Sequence, residues 1–254
     1  MDDLALVVNS HETSEDLWPI FIGELSRFGW EKLFKKIYFF NSRKKELKTT
    51  SSSIDIELLE YDSALPYNLQ YLSCLKRVPF KFVIIANEDC IPSGPPLVEE
   101  IKRITAVISS ELERVDFVKF VRGEEYITKT THENLYQIDP MSKMFFTQQL
   151  SVWCTKSLLE VYAMSPTSYI ARKGGVQQET IGSDICRAQG MKGLLYYNQE
   201  PKRGLYHHDS SILPHICTAI VGGRWNFAEY STEIASLAVK YNIQIMARGI
   251  YASH

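Results

Sequence analysis

The chain has 254 residues, of which 45% are hydrophobic and 23% charged, and this is the composition of an ordinary globular protein. A formal net charge of −2 at pH 7 gives no electrostatic support for a nucleic-acid-binding protein. No apolar run reaches about 18 residues, so we expect no transmembrane segment.

Short apolar runs alternate with amphipathic segments over the first ~120 residues. We predict strands over residues 4–10, 36–41, 53–60, 81–86 and 117–121, and helices over residues 14–28, 67–77 and 97–114. Strands that alternate with helices indicate an α/β fold, in which helices flank a mostly parallel central sheet.

The carboxyl-terminal half is less regular. We predict helices over residues 155–163, 183–190 and 229–241, and a loop over residues 165–182. The basic run Arg43-Lys44-Lys45 is short and is followed by Glu46, so we interpret it as a solvated loop. No linker or internal repeat interrupts the chain, which predicts one continuous domain over residues 1–254.

Two common phosphate-binding motifs do not occur. No G-x-G-x-x-G follows the first predicted strand, and no G-x-x-x-x-G-K-[ST] is present. The turn after that strand, residues 9–13, contains no glycine. These features disfavour dinucleotide-dependent oxidoreductases, P-loop enzymes and nucleotidyltransferases with a glycine-rich loop. A bound phosphate would need a metal ion or basic side chains to neutralise it.

The most informative motif is Asn87-Glu88-Asp89, which directly follows the apolar run of residues 81–86. Residues 90–96 contain three prolines and a glycine, so the strand ends at the motif. Ligands of open α/β sheets bind at the carboxyl ends of the strands. Adjacent carboxylates at such an end suggest a divalent cation and, through it, a phosphate.

The motif and the order of the predicted elements resemble the nucleotide-sugar glycosyltransferases of the Rossmann-like GT-A fold, in particular family 2. Those enzymes carry a D-x-D motif after the fourth core strand, and its last acid binds a divalent cation that bridges the donor diphosphate. In this chain Asp89 takes the last place and Asn87 departs from the pattern at the first. The resemblance implies Mn²⁺ or Mg²⁺, a nucleotide-binding half over residues 1–122 and an acceptor-binding half over residues 123–254.

The same resemblance implies which residues contact the nucleotide. Asn9 and Ser10 follow the first strand, where such enzymes hold the base and ribose, and Asn87 and Glu88 belong to the motif. Asp62 follows the third strand, where the family often places a base- or ribose-binding acid. Ordinary turn formation is an equal alternative for Asn9 and Ser10, and capping of the next turn is an equal alternative for Asp62.

The resemblance also implies catalytic and further metal-binding residues. An inverting enzyme of this fold needs a carboxylate base, for which Glu179 and Asp184 are the candidates, although Asp184 is equally suited to cap a helix. His208 and His207 are candidates to complete the coordination of a cation at Asp89, with His215 a third. The alternative for these histidines is an ordinary surface position.

Further candidates come from three other segments. Lys202 and Arg203 are candidates to contact the diphosphate. Trp153 either shapes a sugar pocket or packs in the core, and core packing is the better interpretation for Trp225.

We therefore expect a metal-dependent glycosyltransferase that moves a sugar from a nucleotide-diphosphate sugar to a glycan or a lipid-linked saccharide. Five widely spaced cysteines favour reduced thiols, and hence a cytoplasmic protein or one peripheral to the inner face of the membrane. Two alternatives remain: a catalytically impaired GT-A-like protein that binds a nucleotide or carbohydrate, and a metal-dependent nucleotidyltransferase. The sequence leaves open the donor base and sugar, the acceptor, the stereochemistry and the oligomeric state.

Overall fold

The computed structural model describes residues 3–42, 54–110, 114–123, 126–167, 174–204 and 207–252. The predicted solvated loop at Arg43-Lys44-Lys45 lies outside these residues. Within them, no helix is both long and apolar enough to cross a membrane. All five cysteines are free, and four of them are buried.

A nine-stranded sheet forms the centre of the described structure, with the strand order β3-β2-β1-β4-β8-β5-β9-β7-β6. Strands β3, β2, β1 and β4 are parallel neighbours, whereas β8 and β7 run against the other strands of this sheet. The strands are β1 (Leu4–Asn9), β2 (Lys36–Asn41), β3 (Ile56–Glu60), β4 (Phe82–Asn87), β5 (Phe117–Lys119), β6 (Ile127–Lys129), β7 (Leu135–Ile138), β8 (Ser151–Cys154) and β9 (Gly193–Tyr196).

Helices cover both faces of this sheet, and small sheets lie beside it. The helices are α1 (Trp18–Arg27), α2 (Tyr67–Leu75), α3 (Val98–Ser109), α4 (Thr155–Met164), α5 (Gly174–Ala188), α6 (Phe227–Tyr241) and α7 (Ile245–Arg248). Short 3-10 helices span Glu12–Leu17 and Trp30–Leu33. The small sheets contain β10 (Lys202–Arg203), β11 (His207–His208), β12 (Ile220–Val221), β13 (Arg224–Asn226) and β14 (Ile250–Tyr251).

The core lies on both faces of the sheet because successive residues of a strand point in opposite directions. Leu6 of β1 belongs to the cluster that contains Phe21 of α1. Val7, the next residue, belongs to the opposite cluster, with Tyr71 of α2 and Tyr162 of α4. Each fully buried apolar side chain contributes about 1.5–3 kcal/mol. The sequence of a strand that is buried on both faces is therefore an unbroken apolar run. Strands β1 and β4 were predicted from that pattern.

A third apolar cluster attaches the carboxyl-terminal segment to the first half of the chain. Trp225 of β13 and Tyr230 of α6 are buried against Leu17, Ile20 and Ile91. This contact places β12 next to the ends of β1 and β4. Trp225 has the packing role expected of it.

The prediction of an α/β fold with a mostly parallel central sheet is confirmed.

The prediction of a loop over residues 165–182 and a short helix over 183–190 is wrong, because α5 already begins at Gly174. The segment is polar and glycine-containing, so its sequence lacks a strong helical pattern. At Gly182 the ring of Phe146 lies so close that a Cβ atom would clash with it. The helix therefore depends on a tertiary contact.

Candidate functional site

The candidate site follows from the order of the strands. Strands β1, β2 and β3 follow one another in one direction across the sheet, and the chain then returns to place β4 on the other side of β1, so the strand order reverses at β1. In open α/β sheets such a reversal leaves a crevice at the carboxyl ends of the two strands. Asn9 ends β1, Asn87 ends β4, and the two residues are register partners. A cavity of about 400 Å³ opens at this position.

One wall of the cavity is made of aromatic and amide side chains. Tyr67, the first residue of α2, accepts a hydrogen bond from Asn9 Nδ2 at 3.3 Å and another from Gln148 Nε2. These two donors occupy the lone pairs of the hydroxyl oxygen, so its proton is oriented for a further acceptor. Burial raises the pKa of Tyr67, which keeps the phenol protonated at neutral pH. The cavity thus contains a hydroxyl donor for a ligand.

Gln70 lies one helical turn further along α2 and lines the same cavity. Its Nε2 donates to the carbonyl of Leu65 at 2.7 Å and to that of Ser63 at 3.3 Å. Both amide protons are used, so the amide oxygen is the group left to accept a bond from a ligand. Tyr67 and Gln70 together offer one donor and one acceptor.

The opposite wall carries the carboxylates of Glu88 and Asp89. Burial raises the pKa of Asp89 to about 7, and the adjacent charge of Glu88 adds to this shift. Burial also raises the pKa of Glu88, although hydrogen bonds from Ser14 and Ser10 oppose the change. The guanidinium of Arg248 lowers both values to a smaller extent. The two carboxyl groups are costly to ionise, and a cation in the cavity would relieve that cost.

Ser10 links the two walls. Its Oγ accepts a hydrogen bond of 2.7 Å from Trp18 Nε1, and its carbonyl accepts one of 2.8 Å from Tyr61 Oη. Its backbone N–H donates to the carbonyl of Phe40 at 2.9 Å. Ser10 is buried, so these bonds fix the turn that follows β1. Of the residues predicted to contact a nucleotide, Asn9, Ser10, Asn87 and Glu88 all line the cavity.

Asp62 does not line this cavity. Its side chain is exposed, and Oδ1 accepts a hydrogen bond from the backbone N–H of Ala64 at 2.8 Å. This is the capping of the following turn that the sequence offered as the alternative.

The predicted histidine ligands lie away from Asp89. His207 Nε2 is 2.7 Å from Tyr230 Oη, and His208 Nδ1 is 2.9 Å from the carbonyl of Glu200. His215 Nδ1 is 2.6 Å from the carbonyl of Leu213, and burial lowers the pKa of this histidine to about 4. In the described ranges, no group of three or more His, Cys, Asp and Glu side chains is placed to hold a metal ion.

The predicted metal set of Asp89 with His207 and His208 is therefore not assembled. The pairing of β11 with β10 holds both histidines in a separate small sheet, and sequence spacing does not reveal this. Arg203 of β10 forms ion pairs with Asp209 at 3.0 Å and with Glu233 at 2.9 Å. These two carboxylates neutralise the guanidinium that was a candidate to contact the diphosphate.

The two candidate bases lie in different surroundings on α5. Asp184 is exposed and pairs with Arg187 on the outer surface of the helix, so it is not the N-cap that the sequence offered as the alternative. Glu179 is half-buried, and its Oε1 accepts a hydrogen bond of 3.0 Å from the backbone N–H of Gln148. Burial raises the pKa of Glu179. Gln148 also bonds to Tyr67 through its side chain, so Glu179 lies behind the cavity wall that contains Tyr67.

Sequence reasoning missed Tyr67 and Gln70 as cavity residues. The available signal was their position, because helix α2 begins seven residues after β3 ends and its first turn faces the same edge of the sheet. Trp153 was considered for a sugar pocket. Its ring is fully buried and stacks on Phe117 with centroids 4.2 Å apart, which is the core-packing alternative.

Comparisons with known proteins give similarity of fold. No family model and no curated sequence matches the chain. Among solved structures, a cytidylyltransferase from Leptospira borgpetersenii is 11% identical with a TM-score of 0.50, and the match covers 99% of this chain and all of that one. A UDP-glucose pyrophosphorylase in complex with UDP-glucose is 9% identical with a TM-score of 0.50, over 77% of this chain and 90% of that one.

A third similar structure is residues 1–349 of Staphylococcus aureus TarS in complex with UDP-GlcNAc. It is 12% identical with a TM-score of 0.52, and the match covers 82% of this chain and 58% of the TarS fragment. These three likenesses agree on an α/β fold with a mostly parallel central sheet.

Proposed function

We propose that this protein is a glycosyltransferase that uses a nucleotide-diphosphate sugar. The observation that carries the proposal is the cavity at the ends of β1 and β4, whose lining combines aromatic and amide side chains with two partly buried carboxyl groups. A base and ribose suit the first wall, and a diphosphate with its cation suits the second. Two of the similar structures hold UDP-GlcNAc and UDP-glucose, which supports a donor of this class.

Glu88 and Asp89 are the residues proposed to hold Mn²⁺ or Mg²⁺. Both are oxygen ligands, and such cations are commonly bound by one or two carboxylates together with substrate phosphates. This mode fits a site where no group of three or more His, Cys, Asp and Glu side chains, among the described residues, is placed to hold a metal ion. When bound, the cation would stabilise the negative charge that develops on the departing diphosphate.

In the proposed reaction an acceptor hydroxyl oxygen forms a bond to the anomeric carbon of the donor. The bond from that carbon to the diphosphate breaks, the electron pair leaves with the nucleoside diphosphate, and the hydroxyl proton passes to a base. Glu179 is our candidate base because its half-buried carboxyl group has a pKa raised by burial. Asp184 remains the second candidate, although it faces solvent and pairs with Arg187.

A nucleotidyltransferase is the second enzyme candidate, because the likeness to the cytidylyltransferase extends over 99% of the chain. The glycine-free turn after β1 argues against it, since it lacks the flexible backbone that commonly surrounds a triphosphate. A non-catalytic binding protein is favoured by Asn87, which places an uncharged amide at the first motif position.

Thermal shift with UDP, GDP and CDP, each with and without Mn²⁺, tests the proposal. We expect one nucleotide to raise the melting temperature in a Mn²⁺-dependent manner. The absence of any shift would refute nucleotide binding. The matching nucleotide sugars are then incubated with the protein and a mixture of saccharides, and products are measured. Release of nucleoside diphosphate supports the glycosyltransferase. In a parallel incubation with a nucleoside triphosphate and a sugar phosphate, release of pyrophosphate supports the nucleotidyltransferase. If neither product forms, the result indicates a non-catalytic binding protein.

A further inference from the structure

One residue outside the lining of the cavity bonds to two residues within it. Gln148 lies three residues before β8, and its carbonyl accepts a hydrogen bond of 3.5 Å from Asn87 Nδ2. Its backbone N–H donates to Glu179 Oε1 at 3.0 Å. Its side-chain Nε2 donates to the hydroxyl of Tyr67 and, at 3.2 Å, to that of Tyr162. The proposed function so far gives this residue no role.

The backbone of Gln148 is held at both of its polar groups. The carbonyl bonds to a residue of the motif at the end of β4, and the N–H bonds to α5. These are main-chain bonds, so a change of the side chain leaves both of them in place. The side-chain amide of Gln148 therefore extends from a fixed point towards the cavity wall.

This amide sets the direction of the hydrogen bonds at Tyr67. An amide nitrogen has two N–H groups and only donates, so the hydroxyl oxygens of Tyr67 and Tyr162 both accept. The Tyr67 oxygen also accepts a bond of 3.3 Å from Asn9 Nδ2. A phenol oxygen that accepts two bonds can still donate its proton, and neither bond of Tyr67 uses that proton. Tyr67 is half-buried and lines the cavity, so the proton is left for a ligand.

Without the amide, the Tyr67 hydroxyl would have an alternative partner. The two phenol oxygens lie within hydrogen-bonding distance of the same nitrogen, and a hydroxyl can donate or accept. Tyr162 is fully buried and stacks on Tyr71 with centroids 4.1 Å apart, so its position is fixed by packing. Removal of the Gln148 amide would let the Tyr67 proton turn inwards to Tyr162. The hydroxyl would then meet a ligand in more than one orientation.

We propose that Gln148 is a positioning residue, which fixes Tyr67 as a hydrogen-bond donor to the ligand without touching the ligand itself. The inference rests on the proposed function, because the ligand it orients is the nucleotide. Together with the free amide oxygen of Gln70, the oriented hydroxyl requires one acceptor and one donor on the ligand. Nucleobase edges carry both kinds of group.

A double-mutant cycle tests whether Gln148 acts through Tyr67. Gln148→Met keeps a similar length and removes both side-chain N–H groups. Gln137→Met is the matched control, because Gln137 of β7 is exposed and lies outside the lining. Isothermal titration with the stabilising nucleotide measures each variant alone and combined with Tyr67→Phe. We expect Gln148→Met to weaken binding about three- to tenfold when Tyr67 is present, and less than about twofold in Tyr67→Phe. Equal losses in both backgrounds would overturn the inference.

NMR of protein with tyrosine isotopically labelled at Cζ tests the orientation without a ligand. The Cζ resonance of a phenol depends on whether its hydroxyl donates or accepts, and the signal of Tyr67 is the one that Tyr67→Phe removes. We expect this signal to move in Gln148→Met and to keep its position in Gln137→Met. An unchanged signal in Gln148→Met would refute the orienting role. If Gln148→Met does not fold, Gln148→Asn provides the same measurements, because its shorter side chain withdraws the N–H groups from the hydroxyls.

The two measurements distinguish this inference from the proposed function. If no nucleotide binds to wild type and the Tyr67 signal still moves in Gln148→Met, the donor proposal fails and the orienting role of Gln148 is supported. If nucleotides bind and the signal does not move, the inference fails while the proposed function stands. A moved signal together with a loss of affinity that depends on Tyr67 supports both.

Discussion

Asn9 and Asn87 are register partners at the carboxyl ends of the neighbouring parallel strands β1 and β4. The amide of Asn9 donates to Tyr67 in the aromatic and amide wall, and Asn87 directly precedes the two carboxyl groups. This one pair of neighbouring residues therefore connects the two walls of the cavity. Both asparagines are held by strands that are buried on both faces.

The Asp89→Asn variant tests the cation site. An amide keeps the shape of the side chain and removes the charge, so we expect Mn²⁺-dependent nucleotide binding to weaken at least about tenfold, or ~1.4 kcal/mol. Isothermal titration with the stabilising nucleotide at fixed Mn²⁺ measures this change. Asp139→Asn is the matched control, since the exposed side chain of Asp139 accepts a bond from the backbone N–H of Met141 at 2.8 Å and lies outside the cavity. Equal affinities in the two variants would contradict a role for Asp89 as ligand.

The raised pKa of Asp89 predicts a pH-dependent stability. The ordinary value of 3.8 applies to the unfolded chain, and the folded value is about 7. Between these values the folded state binds more protons, so the free energy of unfolding contributed by this group falls as pH rises from about 4 to 7. Urea denaturation at pH 5, 6, 7 and 8 measures the effect. The stability of Asp89→Asn relative to wild type should increase across this range, and a constant difference would rule out the shift.

The Tyr67→Phe variant tests the aromatic wall. Removing the hydroxyl deletes the donor presented to the ligand and also releases the amides of Asn9 and Gln148. We expect nucleotide affinity to fall by about 0.5–1.5 kcal/mol, seen as a smaller thermal shift. Tyr126→Phe serves as the control, because Tyr126 is 71% exposed and lies outside the lining. Wild-type affinity in Tyr67→Phe would remove this residue from the binding site.

The Glu24→Gln variant tests how the carboxyl-terminal segment is attached. The carboxylate of Glu24 on α1 is buried, and it accepts bonds from Tyr241 at 2.8 Å, from Arg27 at 3.1 Å and from Lys240. Removing its charge should lower the free energy of unfolding by about 1–3 kcal/mol. The same substitution at exposed Glu99, which pairs with Lys102 at 2.7 Å, should change it by less than about 0.5 kcal/mol. Chemical denaturation of both variants measures the difference, and similar losses would contradict the anchoring role.

Local sequence patterns were sufficient for the elements that build the first half of the site. Residues 4–9 and 82–87 form strands buried on both faces, which makes their apolar runs continuous. The motif Asn87-Glu88-Asp89 was placed correctly at the end of a strand because its flanking prolines and glycine stop the strand there. Asn9, Ser10, Asn87 and Glu88 all line the cavity, and their contact with a nucleotide stays a prediction.

Long-range contacts decided the parts that were missed. Strand β8 inserts antiparallel between β4 and β5, and Gln148, three residues before β8, bonds to Tyr67 in the cavity wall. The helix α5 depends on the close approach of Gly182 to Phe146, which the polar sequence of that segment does not signal. The two histidines were placed wrongly because the pairing of β10 with β11 keeps them in a separate small sheet.

The sequence by itself determined the parallel α/β core and the acidic end of β4, since periodicity and strand-ending residues are properties of neighbouring positions. Only the tertiary structure decided what faces those acids. The hydroxyl of Tyr67 and the half-buried carboxyl of Glu179 both bond to Gln148, which is far from each of them in the chain. Their bonding and burial are set when the sheet and helices pack together, because desolvation and hydrogen-bond geometry exist only in the folded protein.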